Sequence, residues 1–231
     1  MKRDKVILID LRVIEIMTLK KSSGTAQIPV FPLPEVVLFP GCLLPLHIFE
    51  YRYRKMINDI LEGKSAVFGV LNVDPITRKP AEVGCSSEIL EVQKMPDGRM
   101  NILTIGRQRF KVSELKAGQP YTVGVVEWID DLETSDNLEP LAAQMTELLR
   151  DVVRLSAKLA EKNVDFPDDL PKTPQELSYW VAGSFPGLPE EQQALLEMRD
   201  TAERLNRETE ILTSACKQLA ARTALKDAFG S

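Results

Sequence analysis

The chain has 231 residues, 44% of them hydrophobic and 27% charged, proportions that supply a sizeable core and describe an ordinary folded protein. Lys plus Arg number 29 and Asp plus Glu 34, a net charge of −5, so the chain lacks the basic surplus with which nucleic-acid binders neutralise phosphates. Three scattered cysteines, Cys42, Cys85 and Cys216, with the single histidine His47 make a closed zinc site or a disulfide framework a poor expectation and fit a reducing, cytoplasmic setting.

Residues 1–27 read as an N-terminal extension. The apolar run Val6 to Ile9 is too short for a signal-peptide core or a membrane span, and KKSSGTAQ at 20–27 reads as a flexible linker; a mis-assigned start is the other reading. The body begins at Ile28 with IPVFPLPEVVLFPGCLLPLHIFE, an apolar run cut by Pro29, Pro32, Pro34, Pro40 and Pro45. An interior proline costs a helix about 3 kcal/mol, so this stretch predicts short strands at the bends of a barrel. A turn is expected at Leu33-Pro34-Glu35, a short strand over Val36 to Phe39, a second turn at Pro40-Gly41 and another strand from Cys42 to Ile48. At Glu50 the period changes: Tyr53, Met56, Ile57 and Ile60 share a helical face that Gly63 terminates.

Strands are then predicted over Ala66 to Val73 and Val83 to Gln93, with a hairpin turn at Met95-Pro96-Asp97-Gly98. Met100 to Ile105 follows up to Gly106, and Arg107 to Leu115 and Tyr121 to Ile129 complete the set. Short strands separated by turns, with one early helix, predict a small barrel over residues 28–131. Beyond the acidic connector DLETSDNLEP the texture is helical, over 136–226. Asp136 and Glu139 resemble a capping box ahead of a stripe running from Leu141 to Leu159. Thr173-Pro174-Gln175-Glu176 is a strong helix start, Gly183 ends that helix, Pro189 to Met198 is a short one, and a last long helix runs from Thr201 to about Lys226. Its Ala/Leu stripe is expected to pack within the chain, with a homo-oligomer as the alternative. The fold class is therefore α+β, a barrel followed by a helical subdomain.

The blocks IPVFPLPEVVLFPGCLLPLHIFEYRYRKMI, VFGVLN, VGCSSEILEVQKMPDGRMNILTIGRQRFKV and LPEEQQALLEMRDTAERLNRETEIL resemble the amino-terminal domain of the Lon proteases, in a stand-alone form. The resemblance implies a PUA-like pseudo-barrel followed by helices. It also implies a non-catalytic role: binding unfolded or specific polypeptides as an adaptor or recognition module, with a protease or chaperone as partner and without a cofactor.

Apparent enzyme motifs dissolve on inspection. Gly63-Lys64-Ser65 has the end of a phosphate loop but Asn58 where its first glycine belongs. Ser113 to Lys116 has only the S-x-x-K spacing, and Cys42 and His47, five apart on a strand, face opposite sides. By resemblance the expected polypeptide-binding surface is apolar and lies where barrel and helices meet, with Phe39, Phe49, Tyr51, Trp180, Phe185 and Leu188 as candidates. The alternative, a nucleic-acid-binding PUA-like protein, would use Arg99, Arg107, Arg109 and Lys111 as a basic ridge, against the overall acidity.

Overall fold

A computed structural model describes residues 22–185 and 187–229; the reading of residues 1–21 as an extension lies outside them. Among the described residues six strands precede four helices, with one helix between the second and third strands. They are β1 (Thr25–Pro34), β2 (Leu43–Ile48), α1 (Tyr51–Leu61), β3 (Phe68–Val73), β4 (Val83–Lys94), β5 (Met100–Lys116) and β6 (Val123–Ile129). The helical part comprises α2 (Glu139–Ala160), α3 (Pro174–Gly183), α4 (Pro189–Glu197) and α5 (Thr201–Phe229). The sheet order β2-β5-β4-β3-β1-β6 closes on itself through an additional β5–β6 pairing, and β2 hangs on the first half of β5. β1 and β3 are parallel, and the connection between them carries β2 and α1.

Three strand predictions change. Thr25 to Gln27, read as the end of a linker, pair with Val125 to Glu127 of β6. Val36 to Phe39 form no strand: a turn at Glu35, whose φ is 57°, and the Pro40-Gly41 turn leave four residues with no ladder partner among the described residues, although Leu38 and Phe39 are buried. β5 does not stop at Gly106 but runs through it. A Cβ on Gly106 would lie 2.1 Å from the Phe39 carbonyl oxygen, so this glycine serves close approach rather than a break. The hairpin turn at Met95 to Gly98 forms as its sequence predicts, with Gly98 at φ 82°.

α1 lays Tyr53, Met56, Ile57 and Ile60 on a barrel core with Phe31, Ile48, Phe68, Val70, Met100 and Ile102. The helices build a second core around Met145, Leu149, Val181, Leu195, Leu205 and Leu212, and Phe39 inserts into it from the loop after β1. Thr173 and Glu176 form a reciprocal capping box at α3. The start of α2 differs from expectation: Asn137, not Asp136, accepts the Glu139 N–H, at 3.1 Å. α5 lies along α2 within the chain.

Barrel and helices meet at a buried ion cluster. Asp131, just after β6, accepts two hydrogen bonds from Arg204 of α5, at 2.6 and 3.2 Å, and one from Arg109 of β5. Tyr179, Gln175 and Thr201 donate further hydrogen bonds to the same carboxylate at 2.8–2.9 Å. Arg109 also donates to the Leu196 and Met198 carbonyls at the end of α4, at 2.6 and 2.5 Å, and both guanidiniums lie near the Tyr179 ring. Burial opposes the Asp131 charge, but the paired guanidiniums overcome it and hold the carboxyl at about 2. Deeper in, Ser178 donates to Glu208 at 2.8 Å while accepting from Arg204, and the second Glu208 oxygen has no hydrogen-bond partner. Burial pushes the Glu208 carboxyl up to about 8, against the smaller pull of Ser178 and Arg204.

Two outcomes follow from this cluster. Asp131→Asn leaves two buried guanidiniums without their counter-charge and is expected to cost about 3–5 kcal/mol, read as a lower urea midpoint at unchanged slope. Glu208 holds a proton in the folded state that its unfolded carboxyl releases near pH 4.5, so its contribution to stability falls as pH rises from there to about 8. The fall is at most about 1.4 kcal/mol per pH unit. Glu208→Gln removes that dependence and raises stability at pH 8 relative to the parent chain; urea titrations across pH 5–9 that remain parallel for the two proteins would refute it.

Candidate functional site

The six candidate residues do not form one surface. Phe39 is fully buried and Phe185 nearly so, both in the helical core, where Phe39 packs 6.4 Å from the Tyr179 ring; burial removes them from any surface contact. Trp180 is half-buried against the same core, and Leu188 is exposed at the head of α4. Phe49, in the link between β2 and α1, and Tyr51, the first residue of α1, are by contrast 60% and 68% exposed.

Phe49 forms part of the wall of an open groove of about 600 Å³ between β1, β2, the start of α1 and the loop after β3. Its bed is apolar: Phe31, Leu33, Leu46, Ile48 and Tyr53 line it, with Pro32 and Pro34 along one margin. Sequence sets each part in place. The Phe31 ring rests 4.0 Å from that of Tyr53, which the amphipathic α1 fixes in the core. His47 stacks on Phe49 at 6.1 Å and hydrogen-bonds Asn101 of β5 at 2.7 Å, which steadies the exposed aromatic ring. Arg52 is paired with Glu50 at 2.9 Å and covers the Tyr53 ring at 4.5 Å.

Pro32 and Pro34 decide how the groove meets another chain. Val30 donates its N–H to Thr122, so the alternation of an extended strand points Pro32 and Pro34 to that same side, beyond the reach of the β6 ladder. Across the groove, Gly106 donates to the Cys42 carbonyl, which places Leu44, Leu46 and Ile48 toward β5 and Leu43, Pro45 and His47 toward the unpaired edge. The edges of β1 and β2 that have no strand partner among the described residues thus hold three prolines. They offer carbonyls but few N–H groups, a poor template for an added strand.

The other sequence candidates are structural. Gly63 caps α1 at φ 80°, and Lys64 joins Lys55 and the Tyr121 hydroxyl on Asp59, whose carboxyl these partners hold well below the usual range. The Cys42 thiol, pushed up to about 12 by burial, donates to the Tyr179 carbonyl at 3.6 Å and pairs with no base. No cluster of three metal-ligating side chains occurs among the described residues. The basic ridge also fails to assemble: Arg109 is 1% exposed in the ion cluster, while Arg99, Arg107 and Lys111 pair with Asp97, Glu88 and Glu82. The buried cluster itself gave no recognisable signal, because Arg109 sits in an alternating strand like any solvated arginine and Asp131 in an acidic connector.

Comparison with known proteins places this architecture. Over 204 residues the chain is 29% identical to a Lon protease of Parabacteroides distasonis, which covers 80% of this chain and 24% of the relative. A Lon protease of Solibacter usitatus is 27% identical over 215 residues, 88% of this chain and 26% of the relative. The chain thus spans about a quarter of the length of these relatives. Among solved structures, a Lon N-terminal domain protein from Xanthomonas campestris superposes with a TM-score of 0.58 at 24% identity, over 79% of this chain and 96% of that one. The N-terminal domain of a Mycobacterium avium complex Lon protease gives the same score at 21% identity, over 83% and 98%, and both likenesses concern the fold. Residues 27–214 match the family model of the ATP-dependent protease La (LON) substrate-binding domain, and with most of its length inside that match the chain belongs to this family.

Proposed function

We propose that the chain is a polypeptide-binding module, holding extended segments of unfolded or specific client proteins in the groove between β1, β2 and α1. It would act as an adaptor or recognition factor, with a protease or chaperone among its partners and without a cofactor. The observation that carries this reading is the exposure of Phe49 on the wall of an apolar groove. Contiguous exposed apolar surface costs a protein solubility unless it is used. Family membership supports the same reading, since the matched domain is described as substrate-binding. The free thiols Cys42, Cys85 and Cys216 fit a cytoplasmic setting, and among the described residues no helix is long and apolar enough to cross a membrane. The Ala/Leu stripe of α5 packs on α2, so a homo-oligomer would need another surface.

The test is a binding titration with a permanently unfolded reporter polypeptide. Phe49→Ser removes the exposed ring from the groove wall, and truncating one well-used aromatic contact is worth about 1.5–3 kcal/mol. Affinity is therefore expected to fall at least tenfold while thermal stability stays within a few degrees. Unchanged affinity would refute the groove as the binding surface.

A further inference from the structure

The groove is not electrically neutral. Two arginines, Arg52 and Arg78, line it against a single carboxylate, Glu50, although the chain as a whole carries a net charge of −5. Arg52 is already engaged by Glu50 and by the face of Tyr53. Arg78 differs: among the described residues its guanidinium has neither an ion-pair partner nor a hydrogen bond.

Its backbone is nevertheless held firmly. Asp74 accepts the N–H groups of Ile76 and Thr77 at 2.8 and 2.6 Å, Arg78 donates its N–H to the Asp74 carbonyl at 2.9 Å, and Asp74 in turn donates to Lys79 at 3.0 Å. The loop after β3 therefore presents a free cation beside the apolar bed, close to the Val73 and Pro80 end. The proline-bearing edges give a bound chain little ladder pairing, so selectivity must come from side chains.

Resting on the reading of the groove as a polypeptide site, we propose that its occupant is an extended apolar segment flanked by an acidic residue, whose carboxylate pairs with Arg78. The apolar side chains fill the bed between Phe31, Leu46 and Phe49. The acidic group fixes register and direction, because the one groove-lining cation left unpaired among the described residues comes from the loop after β3. A segment flanked by lysine meets Arg78 with like charge and is disfavoured.

Fluorescence anisotropy on the full chain tests this with three labelled ten-residue peptides of the same apolar core, carrying Asp, Lys or no charge beside it. At low salt the Asp peptide is expected to bind about fivefold more tightly than the Lys peptide, a preference that shrinks as salt rises. Arg78→Glu, a change at an exposed position, is expected to reverse the order of the Asp and Lys peptides. Equal binding of all three peptides, or a preference unchanged in Arg78→Glu, overturns the charge assignment while leaving the groove as an apolar polypeptide site. Failure of every peptide to bind overturns both readings. Concentration-dependent self-association that Phe49→Ser abolishes would show that a second copy of this chain is the occupant, and would overturn the proposal as well.

Discussion

Two buried guanidiniums converging on one carboxylate hold this molecule together. Arg109 comes from the barrel, Arg204 from the last helix, and Asp131 from the connector between them, so the cluster fixes the angle at which the helices sit on the sheet. None of the three could be buried alone, because an isolated charge in a protein interior costs several kcal/mol. Together with Tyr179, Gln175, Thr201 and the carbonyls ending α4 they satisfy one another. Hydrophobic burial drives the barrel and helices to form; this polar junction restricts how they dock. Glu208, one layer deeper, shows the cost of such a junction, since only one of its two oxygens is paired.

The proline-rich start of the body does two jobs that follow from one chemical fact, the missing N–H. Within β1 the ladder to β3 survives because Phe31 and Leu33 face it, while Pro32 and Pro34 are turned to the side where no strand pairs among the described residues. Pro45 repeats the device on β2. The two edges therefore face a groove without closing it, and without inviting uncontrolled strand addition. A chain laid on such a surface would find few ladder partners and would be held by its side chains.

Much of the architecture was legible because local rules and tertiary packing agree. The face of α1, the hairpin at Met95 to Gly98 and the Thr173 capping box each depend on a few neighbouring residues. The predictions that changed are those in which a distant partner intervened. Gly106 looks like a break until the Phe39 carbonyl is seen lying against it, and Thr25 to Gln27 look like a linker until β6 pairs with them. The candidate surface was legible only in part: Phe49 and Tyr51 stand free, whereas Phe39 and Phe185, equally aromatic and equally placed beside turns, are core. Aromatic side chains carry the same apolar signal in either setting, so burial had to be decided by what lies above them.

The α+β architecture is legible in the sequence alone, since proline spacing, turn chemistry and helical periodicity are properties of short segments, and its motif blocks carry the resemblance to the Lon amino-terminal domains. Tertiary structure alone decided which charges are surface and which are structural. Arg109 and Arg107 are two residues apart on one strand, yet one is sealed in the junction and the other pairs with Glu88 in partial contact with solvent. The same is true of Arg78, whose lack of a partner among the described residues gives the groove its sign. Coulombic pairing depends on distances between residues far apart in the chain, and those distances exist only once the barrel has closed and the helices have docked on it.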